Sequence, residues 1–278
     1  MKYLSTRGGE AVAAAQAIVR GICLSGGLYV PASFPELDVE SLPADYLEAA
    51  FEVMSRYLTE TDPENLRGMI KSAYRSFDDE RVTPVHALTE RESILELWHG
   101  PTMAFKDVAL QMLPYLMRDS LLLTGEDRQV YILVATSGDT GKAALAGFCD
   151  VPGTRVLVFY PDGGVSRAQR LQMVTQEGGN VDVCAVRGNF DDAQTGVKRI
   201  FADAGANEEL NRLGYRLSSA NSINFGRLLP QIVYYFSSYR ALREAGRLSA
   251  GEPVNFCVPT GNFGDILAGY YAKRMGLP

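Results

Sequence analysis

Lys106 stands where an apolar helix begins, at the end of the loop in ELWHGPTMAFKDVAL (96–110). Cations are disfavoured at a helix N-terminus, and Phe105, Val108 and Ala109 bring apolar side chains to the amine; both effects depress an ammonium pKa. A lysine pushed toward its neutral amine can attack a carbonyl and form a Schiff base. Taken alone, Lys106 reads first as a surface residue with its head in water, as an isolated lysine ordinarily is.

Two further loops have compositions suited to chemistry. ATSGDTGKAA (135–144) is small and polar, follows an apolar run, and leads into a helix whose first amides can bind an anion. A nucleotide P-loop fits poorly: that pattern needs Gly at 136 and Ser or Thr at 143, where this chain has Thr136 and Ala143, and Asp139 repels phosphates. The alternative is a plain helix start capped by Ser137, Asp139 or Thr140. PTGNFGD (259–265) carries Gly261 and Gly264, which permit close backbone approach to a ligand, and it contains no Lys or Arg. An anion held there relies on amides and the helix dipole, as suits a permanently bound cofactor phosphate. The dinucleotide fingerprint G-x-G-x-x-G is absent, and a tight two-glycine turn is the alternative.

The elements that must carry these loops follow from periodicity. Residues 1–82 read as a small, mainly helical lead domain, with helical patterns at 11–19 and 44–59 separated by the Gly- and Pro-marked GGLYVPASFPEL. From residue 83 apolar strands alternate with amphipathic helices: strands at 130–136, 154–160 and 181–186, helices at 141–148, 166–176 and 191–201. A long helix at 225–246, kinked or started by Pro230, precedes a last strand at 254–258 and a final helix. The fold class is α/β, with parallel strands covered by helices on both faces and ligands expected at their carboxyl ends.

Composition narrows the function classes. The 278 residues are 46% hydrophobic and 22% charged, an ordinary globular mix, and the net charge of -6 leaves no excess of basic residues for nucleic acid. No apolar stretch reaches membrane-spanning length, and MKYLSTRGGEAV lacks the pattern of a secretory signal. Cys23, Cys149, Cys184 and Cys257 are scattered and only His86 and His99 accompany them, so no metal-ligand spacing exists and the thiols read as reduced core residues of a cytoplasmic protein.

Taken together, MKYLSTRG, HGPTMAFKD, TSGDTG, SANSIN and VPTGNFGDILAGYYAKRMGLP resemble the threonine synthase family, in that order and over the whole chain. The resemblance implies the tryptophan-synthase-like fold (fold type II) of pyridoxal 5'-phosphate enzymes, an incomplete cofactor-binding domain at 83–278, and conversion of O-phospho-L-homoserine and water to L-threonine and phosphate. It makes Lys106 the lysine that holds pyridoxal phosphate as a Schiff base and shuttles protons. It places Ser137, Gly138, Asp139 and Thr140 at the substrate carboxylate, and Gly261, Asn262, Phe263, Gly264 and Asp265 around the cofactor phosphate. His99 is expected to anchor its loop, Arg7 to be structural, and Asn221 and Asn224 to belong to a family motif. Family members continue beyond the position of Pro278, so the C-terminal part, with the partner of the cofactor's ring nitrogen, is expected to lie outside this chain. A monomer is implied. A threonine-synthase-like phospho-lyase and a non-catalytic pyridoxal-phosphate-binding protein are the alternatives.

Overall fold

The computed structural model describes residues 1–23, 25–259 and 263–278. Strands β1 (Lys2–Ser5), β2 (Val12–Ala13) and β3 (Tyr29–Pro31) form an antiparallel sheet in the order β2-β1-β3, and helix α1 (Ala14–Arg20) follows β2 directly. Helices α2 (Tyr46–Ser55) and α3 (Pro63–Tyr74) complete the lead region, each started by an aspartate whose carboxylate accepts a first-turn N–H, Asp45 from Glu48 and Asp62 from Asn65. Helices α1 and α2 fall on the two helical patterns of the sequence, at 11–19 and 44–59, and α3 lies outside both. The small sheet was not anticipated, because its strands are too short to display a period, and what fixes it is a tertiary contact: Tyr3 is fully buried against Phe225, ring centroids 4.7 Å apart.

A hairpin of β4 (Val85–Ala87) and β5 (Ser93–Leu95) leads to α4 (Asp107–Leu110) and α5 (Leu113–Thr124). The apolar helix opened by Lys106 is therefore a single turn: Pro114 cannot donate an N–H, and the chain restarts with that proline in the first turn of α5. The α/β part then runs β6 (Gln129–Ala135), α6 (Asp139–Phe148), β7 (Thr154–Pro161), α7 (Arg167–Val174), β8 (Val181–Val186), α8 (Phe190–Ala202), α9 (Ala204–Arg212) and β9 (Tyr215–Ser218). All pairings are parallel and the strand order is β8-β7-β6-β9. Parallel strands buried on both faces need side chains that are apolar throughout, and Val130, Ile132 and Val134 of the inner strand β6 are fully buried.

Helix α10 (Phe225–Glu244) runs through the core, and α11 (Gly264–Met275) lies against it. Three expectations are corrected. Of the two expectations for Pro230, that it starts α10 is corrected, since it lies inside the helix that begins at Phe225. The run 254–258 forms no strand: no described neighbour supplies a ladder, and Phe256 and Cys257 are exposed. The four cysteines are free but none is a core residue, since Cys184 and Cys257 are exposed and Cys23 and Cys149 half-buried. No helix among the described residues is long and apolar enough to cross a membrane, and none of their His, Cys, Asp and Glu side chains cluster as a metal site would require.

Candidate functional site

The segment 99–107 is fixed at both ends by its own side chains. His99 sets Nδ1 2.6 Å from Asp78 Oδ1 and Nε2 2.8 Å from Glu96 Oε2, and the Glu96 carboxylate, followed by Asp78, raises its pKa. Asp107, fully buried, accepts the Thr102 N–H at 2.8 Å and the Thr102 hydroxyl at 2.8 Å. Gly100 lies so close to Asp107 that any Cβ there would overlap its side chain. The loop is thereby drawn into a closed turn that presents Lys106 at the start of α4.

The Lys106 side chain is only 14% exposed, with Nζ 3.9 Å from Asp139 Oδ2 and 4.3 Å from the ring of Phe105. Burial is the main force lowering its pKa; the Asp139 carboxylate opposes it, and the Arg227 guanidinium acts with it. The sequence points to a helix N-terminus and apolar neighbours as the cause. In the structure the helix is one turn long, and desolvation with a neighbouring cation carries the shift.

Residues 136–140 turn on a residue the sequence reading passed over. The Thr136 hydroxyl accepts the N–H of Gly138 at 3.0 Å and of Gly141 at 2.9 Å, and donates to the Gly138 carbonyl at 3.1 Å. Gly138 has φ 149°, a conformation rarely open to other residues, and stands against the side chain of Gln169. Helix α6 consequently begins without a side-chain cap on its leading residue, which corrects the alternative that Ser137, Asp139 or Thr140 caps it. Ser137 and Asp139 are exposed, Gly138 is buried, and Thr140 is half-buried. Gln169 Nε2 donates to Asp139 Oδ1 at 2.8 Å, holding that carboxylate within reach of Lys106.

The segment 218–224 lies alongside. Asn221 Nδ2 donates to the carbonyl of Ala135 at 3.4 Å, joining this loop to the carboxyl end of β6. Asn224 is fully buried: its Oδ1 accepts the Gly226 N–H at 2.9 Å to cap α10, and its Nδ2 donates to the carbonyls of Ile18 at 3.0 Å and Ser219 at 3.1 Å. One asparagine thus ties the lead region to the α/β part. Arg227, three residues on, donates to the Ala220 carbonyl at 2.7 Å, while its Nε has no partner among the described residues; burial lowers its pKa to about 10.

Of the residues expected around a phosphate, Gly261 and Asn262 lie outside the described residues. Phe263 is 72% exposed, Gly264 stands against Ser222 at the start of α11, and Asp265 turns into the core toward Tyr234 and Tyr235. The structure therefore brings together Lys106 and Asp139, adds Gln169, Thr136 and Arg227 behind them, and sets Ser137 on the open side. No sequence signal marked Gln169, whose role depends on α7 packing against α6. Arg227 did leave one: an arginine among the apolar residues of FGRLLPQIV. A desolvated amine, a helix start whose Asp139 and Thr140 amides are left free among the described residues while Thr136 takes that of Gly141, and a buried guanidinium in one region suit an electrophilic ligand that carries negative charge.

Residues 2–74 match the family described as Threonine synthase N terminus. The whole chain is 42% identical to threonine synthase of Schizosaccharomyces pombe, of which it covers 55%, and 41% identical to that of Pseudomonas aeruginosa, of which it covers 58%. It also superposes over its full length on the crystal structure of PLP-bound threonine synthase from Brucella melitensis, at a TM-score of 0.88 and 40% identity, covering 59% of that chain. Over its whole length the chain is similar to the threonine synthase family. It spans a little over half the length of these relatives. The fold is the α/β fold of that family.

Proposed function

We propose that this chain carries the pyridoxal-phosphate-binding half of a threonine synthase, the cytoplasmic enzyme that converts O-phospho-L-homoserine and water to L-threonine and phosphate. The observation that carries the reading is Lys106, an amine 14% exposed and shifted toward its neutral form, at the meeting point of two loops. The residues present fit the cofactor: a desolvated lysine for its aldehyde, and for its phosphate the start of α11, which no described side chain caps, with a buried cation, Arg227, beneath the neighbouring loop. Pyridoxal phosphate, when bound, supplies the electron sink that makes the protons of an amino acid removable.

Lys106 is the residue that holds the cofactor and moves protons at the substrate's α- and β-carbons. Ser137, Gly138, Asp139 and Thr140 receive the substrate carboxylate at the start of α6, where Gln169 holds the Asp139 side chain and Thr136 holds the Gly138 amide. Gly261, Asn262, Phe263, Gly264 and Asp265 form the loop at the cofactor phosphate. The chain divides at 82/83 into a lead unit and the cofactor-binding unit, and functions as a monomer.

Borohydride reduction of the purified protein with pyridoxal phosphate is expected to fix the pyridoxyl mass on the peptide containing Lys106, and to fix none in Lys106→Ala. Label confined to Lys142 or Lys273 overturns the assignment. Incubation with phosphohomoserine should yield threonine and phosphate, whereas a keto acid and ammonia would identify a phospho-lyase.

A further inference from the structure

Asp265 is the acidic residue of the phosphate loop, and a carboxylate beside a phosphate repels it. In the structure this side chain is 9% exposed and faces α10. Its Oδ1 accepts the hydroxyls of both Tyr234 and Tyr235, the latter at 2.8 Å, and the Tyr235 hydroxyl lies 3.0 Å from the Asp265 carbonyl oxygen as well. Burial first, and then the Asp265 carboxylate, raise both tyrosine pKa values, so both hydroxyls stay protonated as donors. The clamp is built into packed structure: Gly269, one turn along α11, approaches the Tyr235 ring so closely that a Cβ would stand 2.9 Å from it. Gln231 continues the polar line, donating to the Arg227 carbonyl at 2.8 Å.

We propose that Asp265 is a positioning residue, pulled into the core by Tyr234 and Tyr235 so that α11 turns its first amides, and not a carboxylate, toward the cofactor phosphate. This inference rests on the reading that pyridoxal phosphate is the cofactor and that its phosphate lies at the start of α11. Without the tyrosine hydroxyls, the aspartate would have to leave the core for the helix start, where it would compete with the phosphate for the same amides. Asparagine at 265 retains the oxygen that both tyrosines use, and so should retain the clamp.

The test compares equilibrium dialysis of pyridoxal 5'-phosphate with that of pyridoxal, which lacks the phosphate, on the intact 278-residue chain. Wild type should bind the phosphate form at least about 100-fold more tightly, as a desolvated charged contact implies. Tyr234→Phe/Tyr235→Phe should lower that preference by roughly tenfold or more while pyridoxal binding stays within about threefold, and each single variant should fall between. Asp265→Asn should keep the wild-type preference. If wild type shows the preference and the double variant keeps it, or if both ligands weaken in parallel, the positioning role is overturned and the cofactor reading stands. If wild type binds the two forms equally, the phosphate-site reading fails and the inference fails with it. The single variants, each keeping one hydroxyl on Oδ1, supply the same comparison if the double variant does not fold.

Discussion

Strand β6 and the run 254–258 look alike on paper: VYILVA and VNFCV are both apolar, both lead into a small-residue loop, and both precede a helix. One is an inner strand with β7 on one side and β9 on the other. The other has no ladder among the described residues, and Phe256 is 37% exposed, with its ring edge-on to Tyr235 at 4.8 Å. Apolar β-branched composition makes a segment able to be a strand. Only a neighbour with free N–H and C=O groups makes it one, because an unpaired buried ladder leaves polar groups unsatisfied.

That contrast is sharpened most by truncating equivalent side chains in each run. Ile132→Ala in β6 should destabilise by about 3 kcal/mol, since it empties a fully buried site. Phe256→Ala should change stability by well under about 1 kcal/mol, as a partly exposed ring with one aromatic neighbour. Urea unfolding of the two variants checks this, and equal losses would break the comparison.

The paired side also depends on charge. Glu126 receives Arg128 Nε and Nη2 at 2.7 Å each and Arg216 Nη1 at 2.7 Å, closing the amino ends of β6 and β9; the Arg128 hydrogen bonds, more than Arg216, bring its pKa down to about 2. A depressed carboxylate contributes stability above its unfolded pKa, here near 4.5, and loses it as pH falls through about 2. Glu126→Gln should therefore cost roughly 2 kcal/mol at pH 7, with the difference from wild type shrinking as the solution is acidified from about pH 5 to pH 2. Stability curves across that range read the effect.

His99 predicts the opposite sign in the loop that carries Lys106. Its pKa is raised by Glu96 and then Asp78, so its contribution is complete below pH 6.5 and is lost as pH rises through the higher folded value. Wild type should lose up to about 1 kcal/mol relative to His99→Asn as the pH goes from about 6 to 8, visible as converging thermal midpoints.

The smallest expected signal is direct: amides of 130–135 should exchange with deuterium far more slowly than those of 254–258, without any mutation. Equal protection would mean that the second run is paired after all.

Much of the candidate site could be read from the residues alone. Lys106 stands out because a lysine beside Phe105 at the mouth of an apolar helix is poorly solvated, and the structure agrees on the desolvation while shortening the helix to one turn. The loop at 136–140 was visible as small residues after an apolar strand, yet its organiser, Thr136, reads as one more polar residue until its hydroxyl is seen among the loop amides. The family resemblance places Asp265 with its loop neighbours at the cofactor phosphate. Its side chain belongs to α10 instead, because two buried tyrosine hydroxyls thirty residues back need an acceptor.

By itself the sequence determined the alternation of strands and helices in the α/β part, the poor fit to a P-loop, the absence of a dinucleotide fingerprint, and the lysine whose amine is displaced toward neutrality. These properties depend on periodicity and local composition, which a chain carries wherever it folds. Tertiary structure decided the strand order β8-β7-β6-β9, the three-stranded sheet beside α1, the failure of 254–258 to pair, and the direction in which Asp139 and Asp265 point. All but the unpaired run rest on hydrogen bonds between residues far apart in the chain, as do the links from Asn224 to Ile18 and Gln169 to Asp139. Such bonds form only once burial makes an unpaired polar group more costly than the order needed to pair it.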